Sequence, residues 1–221
     1  MPTALLIPVK NLSNAKQRLG EAFDQEHRSL LAEAMLRDVL TAAAGVADRL
    51  DLYLVTGDAQ ARRLRAAFGF GVIEDTRNES ETAAIEMATA WCEERGYDTA
   101  VVLPGDVPLT TSAELRRVLD SAPEEGAVFV PAYDRRGSNC ILRRPASIIP
   151  LRFGDDSFLP HLAAARAIGI EPVIVRLPGI GLDIDQPRDV QALLRAGPRM
   201  ATRAVRLLEV ATLAAPPPTL G

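Results

Sequence analysis

The sequence predicts an α/β protein in which a mixed, mostly parallel central sheet is flanked by helices, and three observations carry the prediction. Short apolar runs alternate with helix-patterned stretches from residue 5 to residue 121, an order that selects parallel strands joined by right-handed crossovers. The strand-like runs Leu5-Leu6-Ile7, Leu52-Tyr53-Leu54-Val55 and Val101-Val102-Leu103 are nearly continuous in apolar character, as expected of strands covered on both faces. After Pro123 the alternation changes, and two strand-like runs follow one another.

Each element has its own signal. Leu5–Ile7 is the first strand, and Pro8 ends its ladder. From Gln25 to Ala44, Leu30, Leu31, Ala34, Met35, Val39 and Leu40 keep helical spacing, and Gly45 supplies a stop. Leu52–Val55 is the second strand, followed by Thr56-Gly57-Asp58 and a basic helix through Arg62, Arg63 and Arg65. Gly69–Ile73 reads as a third strand, Glu74–Ser80 as a polar loop and Glu81–Arg95 as a helix. Val101–Leu103 is the fourth strand, and Ser112–Ser121 its helix. Ala127–Ala132 and Cys140–Leu142 read as strands separated by the polar run 134–139. A loop from Arg152 to Phe158 opens a helix holding His161 and Arg166. Val173–Val175 reads as the last long strand, and Pro187 stands in the first turn of a further helix. From Pro198 the pattern suggests an amphipathic helix ending in a flexible Pro216-Pro217-Pro218 tail. The expected division is therefore a main domain over 1–197 and a C-terminal helix and tail over 198–221. No internal repeat or linker divides the chain.

Composition narrows the function. With 25 basic and 29 acidic side chains in 221 residues, the net charge is −4, which argues against a nucleic-acid or anionic-membrane surface. Phosphate binding, if present, is local. Cys92 and Cys140 make neither a disulfide framework nor a zinc site, and a reducing cytoplasm is the expected location. The start lacks a basic leader and a cleavage site, and no apolar run approaches the roughly 20 residues of a membrane span. Assembly stays open: the tail helix would cover either a neighbouring subunit, as in a homodimer, or its own sheet.

The residues that could carry chemistry cluster at expected strand ends. Asp106 follows Val101-Val102-Leu103-Pro104-Gly105, at the crevice where open α/β sheets bind ligands, and its charge suits a divalent cation. A helix-capping role is the alternative. Asp183 and Asp185 are one residue apart, so on extended backbone both carboxylates point to one face. They repel unless a cation sits between them; a solvated turn with an N-cap is the bland reading. Together with Asp106 they could converge on one Mg²⁺, which would neutralise phosphate charge. Lys10, Lys16 and Arg18 follow the first strand, where such a sheet receives a nucleotide's phosphates. Gly137-Ser138-Asn139 and Gly154-Asp155-Asp156-Ser157 offer small donors for a phosphate or carboxylate, or serve as turns. His27 reads as a helix-surface histidine; His161, near the Ser157 loop, could touch a substrate phosphate, with a place on the helix surface as the favoured reading; and Cys92 beside Trp91 reads as core. No Ser-His-Asp order, Walker loop or GxGxxG fingerprint is present. A metal-nucleotide site is the reading, with a sugar-directed transferase or a non-catalytic nucleotide-binding regulator as rivals.

Six pieces occur in a familiar order: Pro8-Val9-Lys10, Ala15-Lys16-Gln17-Arg18-Leu19, Leu103-Pro104-Gly105-Asp106-Val107-Pro108, Gly137-Ser138-Asn139, Arg152-Phe153-Gly154 with Ser157, and Asp183-Ile184-Asp185-Gln186-Pro187. Over residues 4 to 195 the chain resembles the guanylyltransferases of coenzyme F-420 biosynthesis. The resemblance implies a single-domain nucleotidyltransferase of glycosyltransferase-A type. It would move GMP from GTP to a phosphorylated three-carbon acid, with phosphoenolpyruvate favoured over 2-phospho-L-lactate and 3-phospho-D-glycerate, and release diphosphate with Mg²⁺. It implies that Asp106, Asp183 and Asp185 hold the metal and that Lys16 and Arg18 face the triphosphate. Ser138 or Asn139, Gly154 and Ser157 would hold the acceptor. In the run Ser80–Ile85, Thr82 stands where the family commonly has an asparagine near the nucleotide, keeping a hydroxyl and losing the amide.

Overall fold

Strand β1 (Thr3–Pro8) has Ala4, Leu5, Leu6 and Ile7 fully buried, and the sheet is built outward from it on both sides. In this computed structural model the described residues are 1–154, 156–196 and 202–214. Asp155, the expected boundary at 197/198 and the Pro216–Pro218 tail lie outside them. The elements after β1 are α1 (Gln25–Ala44), β2 (Asp51–Val55), α2 (Ala59–Arg65), β3 (Gly71–Ile73), α3 (Glu81–Glu93), β4 (Thr99–Val102) and α4 (Ser112–Asp120). Then come β5 (Gly126–Pro131), β6 (Ser138–Arg144), α5 (Phe158–Ala167), β7 (Val173–Ile174), α6 (Pro187–Ala196) and α7 (Arg203–Ala214). Two short 3-10 turns, Leu12–Asn14 and Gln17–Leu19, shape the loop after β1.

The strand order is β3-β2-β1-β4-β6-β5-β7. Parallel pairing joins β1 to β2 and β4, and β2 to β3. Strand β6 runs antiparallel to both β4 and β5, and β7 rejoins parallel to β5. The mixed, mostly parallel sheet is therefore as expected, with its reversal at β6. Alternation along β1 sends Leu5 and Ile7 into a core shared with α1, α2 and α4, and Ala4 and Leu6 into one shared with α3 and α5.

Three expectations change. The last long strand is only the two-residue edge strand β7, whose Val173 and Ile174 are each 39% exposed. The third strand starts at Gly71, because Gly69 takes a left-handed φ of 73° that closes the preceding turn. The tail helix α7 lies on α1 of its own chain, where Ala204, Val205 and Leu208 join Leu31, Ala34 and Met35. Asp38 of α1 caps α7, accepting from Arg203 N and Ala204 N at 2.9 Å each. Among the described residues no helix is long and apolar enough to cross a membrane.

Candidate active site

The loops that follow β1 and β4 at their carboxyl ends border a cleft of about 980 Å³. Helix α4 is capped by Thr111, whose hydroxyl accepts from Glu114 N at 3.2 Å while the Glu114 carboxylate accepts from Thr111 N at 3.2 Å. This capping box removes the alternative role for Asp106. Its carboxylate instead lines the cleft.

Lys16 organises this end. Its backbone is left-handed, φ 54°, immediately before the turn that buries Leu19, a conformation costing a non-glycine residue about 1 kcal/mol. Its Nζ donates to Asp106 Oδ2 and to Asp185 Oδ1, both at 2.6 Å. Three segments far apart in sequence thus meet at one ammonium, through charge-assisted bonds. Burial alone would push the Lys16 ammonium down, but the two carboxylates reverse that and hold it above its ordinary range. Burial would raise Asp185, yet Lys16, with Arg18 adding to it, pulls it below the usual carboxylate value.

The other acids pay for that arrangement in charge. Ile184 is fully buried, so Asp183 and Asp185 flank it on the cleft side, as the extended-backbone argument requires. Asp183 receives Asn139 Nδ2 at 3.0 Å, and the same amide donates to Ile180 O at 3.0 Å. Burial and the nearby Asp106 charge push Asp183 up to about 6. Glu81, the first residue of α3, also lines the cleft, and burial together with Asp106 pushes it up to about 7.

Smaller donors define the far end. Ser157 Oγ accepts from Ser138 N at 3.1 Å, and Ser138 Oγ lies 3.0 Å from His161 Nδ1. His161 Nε2 accepts from Arg152 N at 2.8 Å, and Thr82 Oγ1 accepts from Phe153 N at 2.9 Å. Those two bonds fasten the loop that turns at Gly154, φ 129°, onto α5 and α3. Arg136 and Asp156 form an ion pair at the cleft wall, with Nη2 to Oδ2 at 3.1 Å.

Of the residues selected from sequence, Lys16, Arg18, Asp106, Ser138, Asn139, Gly154, Ser157, Asp183 and Asp185 all line the cleft. Lys10 and Thr82 are not among its lining residues: Lys10 Nζ donates to Glu79 O at 3.1 Å, and the Thr82 hydroxyl is engaged by Phe153. Glu81 was missed, and His161 was assigned to the helix surface in preference to a phosphate contact. Glu81 had a legible signal, since it opens a helix on the carboxyl side of a parallel strand, as Asp106 follows one. His161, read as a surface histidine, is 1% exposed, and burial followed by the charge of Arg143 lowers it to about 4. Cys92 and Cys140 are free and buried, as expected of core thiols.

The acidic end has the chemistry of a hard-cation site: its donors are carboxylate oxygens, and their charge exceeds what Lys16 offsets. Among the described residues, no three acidic, histidine or cysteine side chains form a ready-made metal cage. Lys16 bridges Asp106 and Asp185, two of the three carboxylates that the sequence assigns to one Mg²⁺. The residues still fit that ion, which is commonly held by one or two carboxylates together with substrate phosphates.

Residues 3–210 match the family described as "Guanylyl transferase CofC like", so the likeness extends past residue 195 into α7. The chain is 34% identical over 205 residues to a phosphoenolpyruvate guanylyltransferase of Rubrobacter xylanophilus, covering 89% of this chain and 96% of that one. It is 30% identical over 197 residues to a 2-phospho-L-lactate guanylyltransferase of Methanothermobacter thermautotrophicus, covering 89% and 86% respectively. A solved structure from Desulfovibrio desulfuricans, provisionally named a nucleotide-diphospho-sugar transferase, shares the fold with a TM-score of 0.78 at 21% identity, over 96% of each chain.

Proposed function

The chain belongs to the CofC-like guanylyl transferase family, and on that footing we propose that it transfers GMP from GTP to a phosphorylated three-carbon carboxylic acid. Phosphoenolpyruvate is the favoured acceptor, diphosphate is the leaving group, and coenzyme F-420 biosynthesis in the cytoplasm is the setting. The observation that carries this is the Lys16 ammonium clasped between Asp106 and Asp185 in the same cleft as the Ser138 and Ser157 hydroxyls. One region is suited to a cation and a polyphosphate, the other to a small anion.

The chemistry asks little of the protein as a base. A phosphate oxygen of the acceptor attacks the α-phosphorus of GTP; the new P–O bond forms as the bond to the β-phosphate's bridging oxygen breaks, and diphosphate departs. A phosphate monoester is already anionic at neutral pH, so no proton has to be removed. That agrees with a cleft that, among the described residues, no histidine lines. Lys16 and Arg18 supply positive charge to the triphosphate. Asp106, Asp183 and Asp185 would hold Mg²⁺, which when bound offsets charge on the phosphates. Ser138, Ser157 and the Gly154 turn orient the acceptor, and the ion pair of Arg136 with Asp156 closes that wall.

The test is one incubation panel: phosphoenolpyruvate, 2-phospho-L-lactate and 3-phospho-D-glycerate, each with GTP, ATP, CTP or UTP and Mg²⁺. The nucleotidyl product is read by mass spectrometry. A guanylylated phosphoenolpyruvate is expected to dominate. Transfer to sugar 1-phosphates in place of all three acids would overturn the acceptor assignment, and GTP binding without diphosphate release would overturn the reaction.

A further inference from the structure

We infer that His161 is a positioning residue that donates from Nδ1 to Ser138 and so commits the serine's own hydroxyl proton to the acceptor end of the cleft. The inference rests on the acceptor-site reading above and goes beyond it by assigning the ring its tautomer and its task.

The geometry leaves little freedom. A backbone N–H can only donate, so the 2.8 Å contact from Arg152 N makes Nε2 the bare, accepting nitrogen. The ring is packed against Phe129 and Phe153, Arg143 is the charged group that bears on it, and a protonated ring there would be both desolvated and repelled. A neutral imidazole with a bare Nε2 carries its proton on Nδ1. Ser138 Oγ, 3.0 Å away, is then the acceptor. Ser138 N in turn donates to Ser157 Oγ at 3.1 Å. Both hydroxyl oxygens thereby accept from the protein and retain their protons for another partner. Both serines line the cleft, and phosphate and carboxylate oxygens are pure acceptors. The opposite tautomer would draw the Ser138 proton back toward the ring and turn a lone pair toward the anion.

Two experiments on the full chain test this. The first is ¹⁵N NMR of histidine-labelled wild-type protein. Only two histidines exist, and His27 is distinguished by its solvent exposure on α1. The expected spectrum shows His161 with a protonated Nδ1 and a bare Nε2 at pH 7. A proton on Nε2 overturns the inference, whether or not the protein transfers GMP.

The second is kinetics with GTP, Mg²⁺ and phosphoenolpyruvate. In His161→Asn the amide nitrogen stands near the Nδ1 position and can still donate to Ser138. In His161→Gln the amide reaches the Nε2 position and can hold the Arg152 N–H without serving Ser138. The acceptor KM is expected to stay within about threefold of wild type in the Asn variant and to rise about tenfold in the Gln variant, the worth of one well-placed hydrogen bond. The KM for GTP should change in neither, and Ser138→Ala added to His161→Gln should raise the acceptor KM no further. The reverse ordering, or equal effects, would mean that the ring acts only by holding the loop, and the inference fails. A wild type with the Nδ1–H tautomer that guanylylates none of the three acids leaves the hydroxyl orientation standing and removes the proposed function instead.

Discussion

At Lys16 the protein uses a strained residue to hold two like charges together. The ammonium neutralises the repulsion between Asp106 and Asp185, while Leu19 anchors the turn beneath it. Asp106→Asn keeps the side-chain shape and a contact for Lys16 but loses the negative charge that would hold Mg²⁺ in the proposed reaction. Its kcat should fall at least about 100-fold, the scale for removing one preorganised electrostatic group, with the far-UV circular dichroism unchanged. Near-normal diphosphate release from this variant with Mg²⁺ would refute the role given to Asp106. His161 gives a pH prediction. Its folded value of about 4 lies below the roughly 6.5 of an unfolded histidine. Between those values the unfolded chain binds more protons, so this contribution is complete above 6.5 and is lost as pH falls toward 4. Wild type should lose about 2 kcal/mol more stability than His161→Asn between pH 7 and pH 5, measured by urea denaturation. Glu81, raised to about 7, acts in the opposite sense but is common to both proteins and cancels in the difference. Asp106 was legible because a charge stands where an apolar strand turns. His161 was not, because one helix turn looks alike whether its histidine faces water or a serine.

Among the elements, the turn from Leu177 to Gly181 decides where Asp183 and Asp185 stand. Gly179 N donates to Glu114 Oε1 at 2.7 Å, so the residue that completes the α4 capping box also pins this turn. Ile184 N donates to Asp106 O at 3.2 Å, tying the paired aspartates to the segment after β4. A Cβ at Gly179 would lie 2.2 Å from Leu109 O and 2.3 Å from Glu114 Oε2. Gly179→Ala must therefore shift the backbone that carries the aspartates. It should destabilise the protein by about 2 kcal/mol, within the range for overpacked sites, and lower kcat more than Gly96→Ala, where a left-handed φ of 80° also strains the backbone but at a position that does not line the cleft. Urea denaturation and diphosphate release on the two variants check this; equal activities would sever the turn from the site. Pro178-Gly179 reads as a turn in any sequence, yet only the fold reveals which carbonyl it passes. The same limit governs the sheet. Apolar runs marked β1, β2 and β4 plainly, because both faces of each are covered. The insertion of β6 between β4 and β5 is a choice of pairing that no apolar pattern encodes.

Over the whole molecule, the cleft loops rest on a core that the C-terminal helix completes. Leu19, behind Lys16 and Arg18, and Ile184, between the two aspartates, share one apolar cluster with Val205 and Leu208 of α7. Sequence reading set this helix apart from the main domain because it follows Pro198 and lies beyond the residues, 4 to 195, that carry the family resemblance. Besides that apolar cluster, a carboxylate from α1, 165 residues away in sequence, joins the two. Asp38 is nearly buried, and its two oxygens accept from the first two amides of α7, groups that a helix leaves without internal partners. Removing them should cost about 1 to 2 kcal/mol, as for other lost caps, or a melting temperature lower by roughly 3 to 6 °C for a protein of this size. Because α7 shares its core with the cleft loops, Asp38→Ala should still melt in a single transition. Because Asp38 does not line the cleft, its kcat for guanylyl transfer at 25 °C should stay within about twofold of wild type. Scanning calorimetry decides the matter: an early separate transition would make α7 an appendage, and an unshifted one would mean that the α1 cap does not hold it.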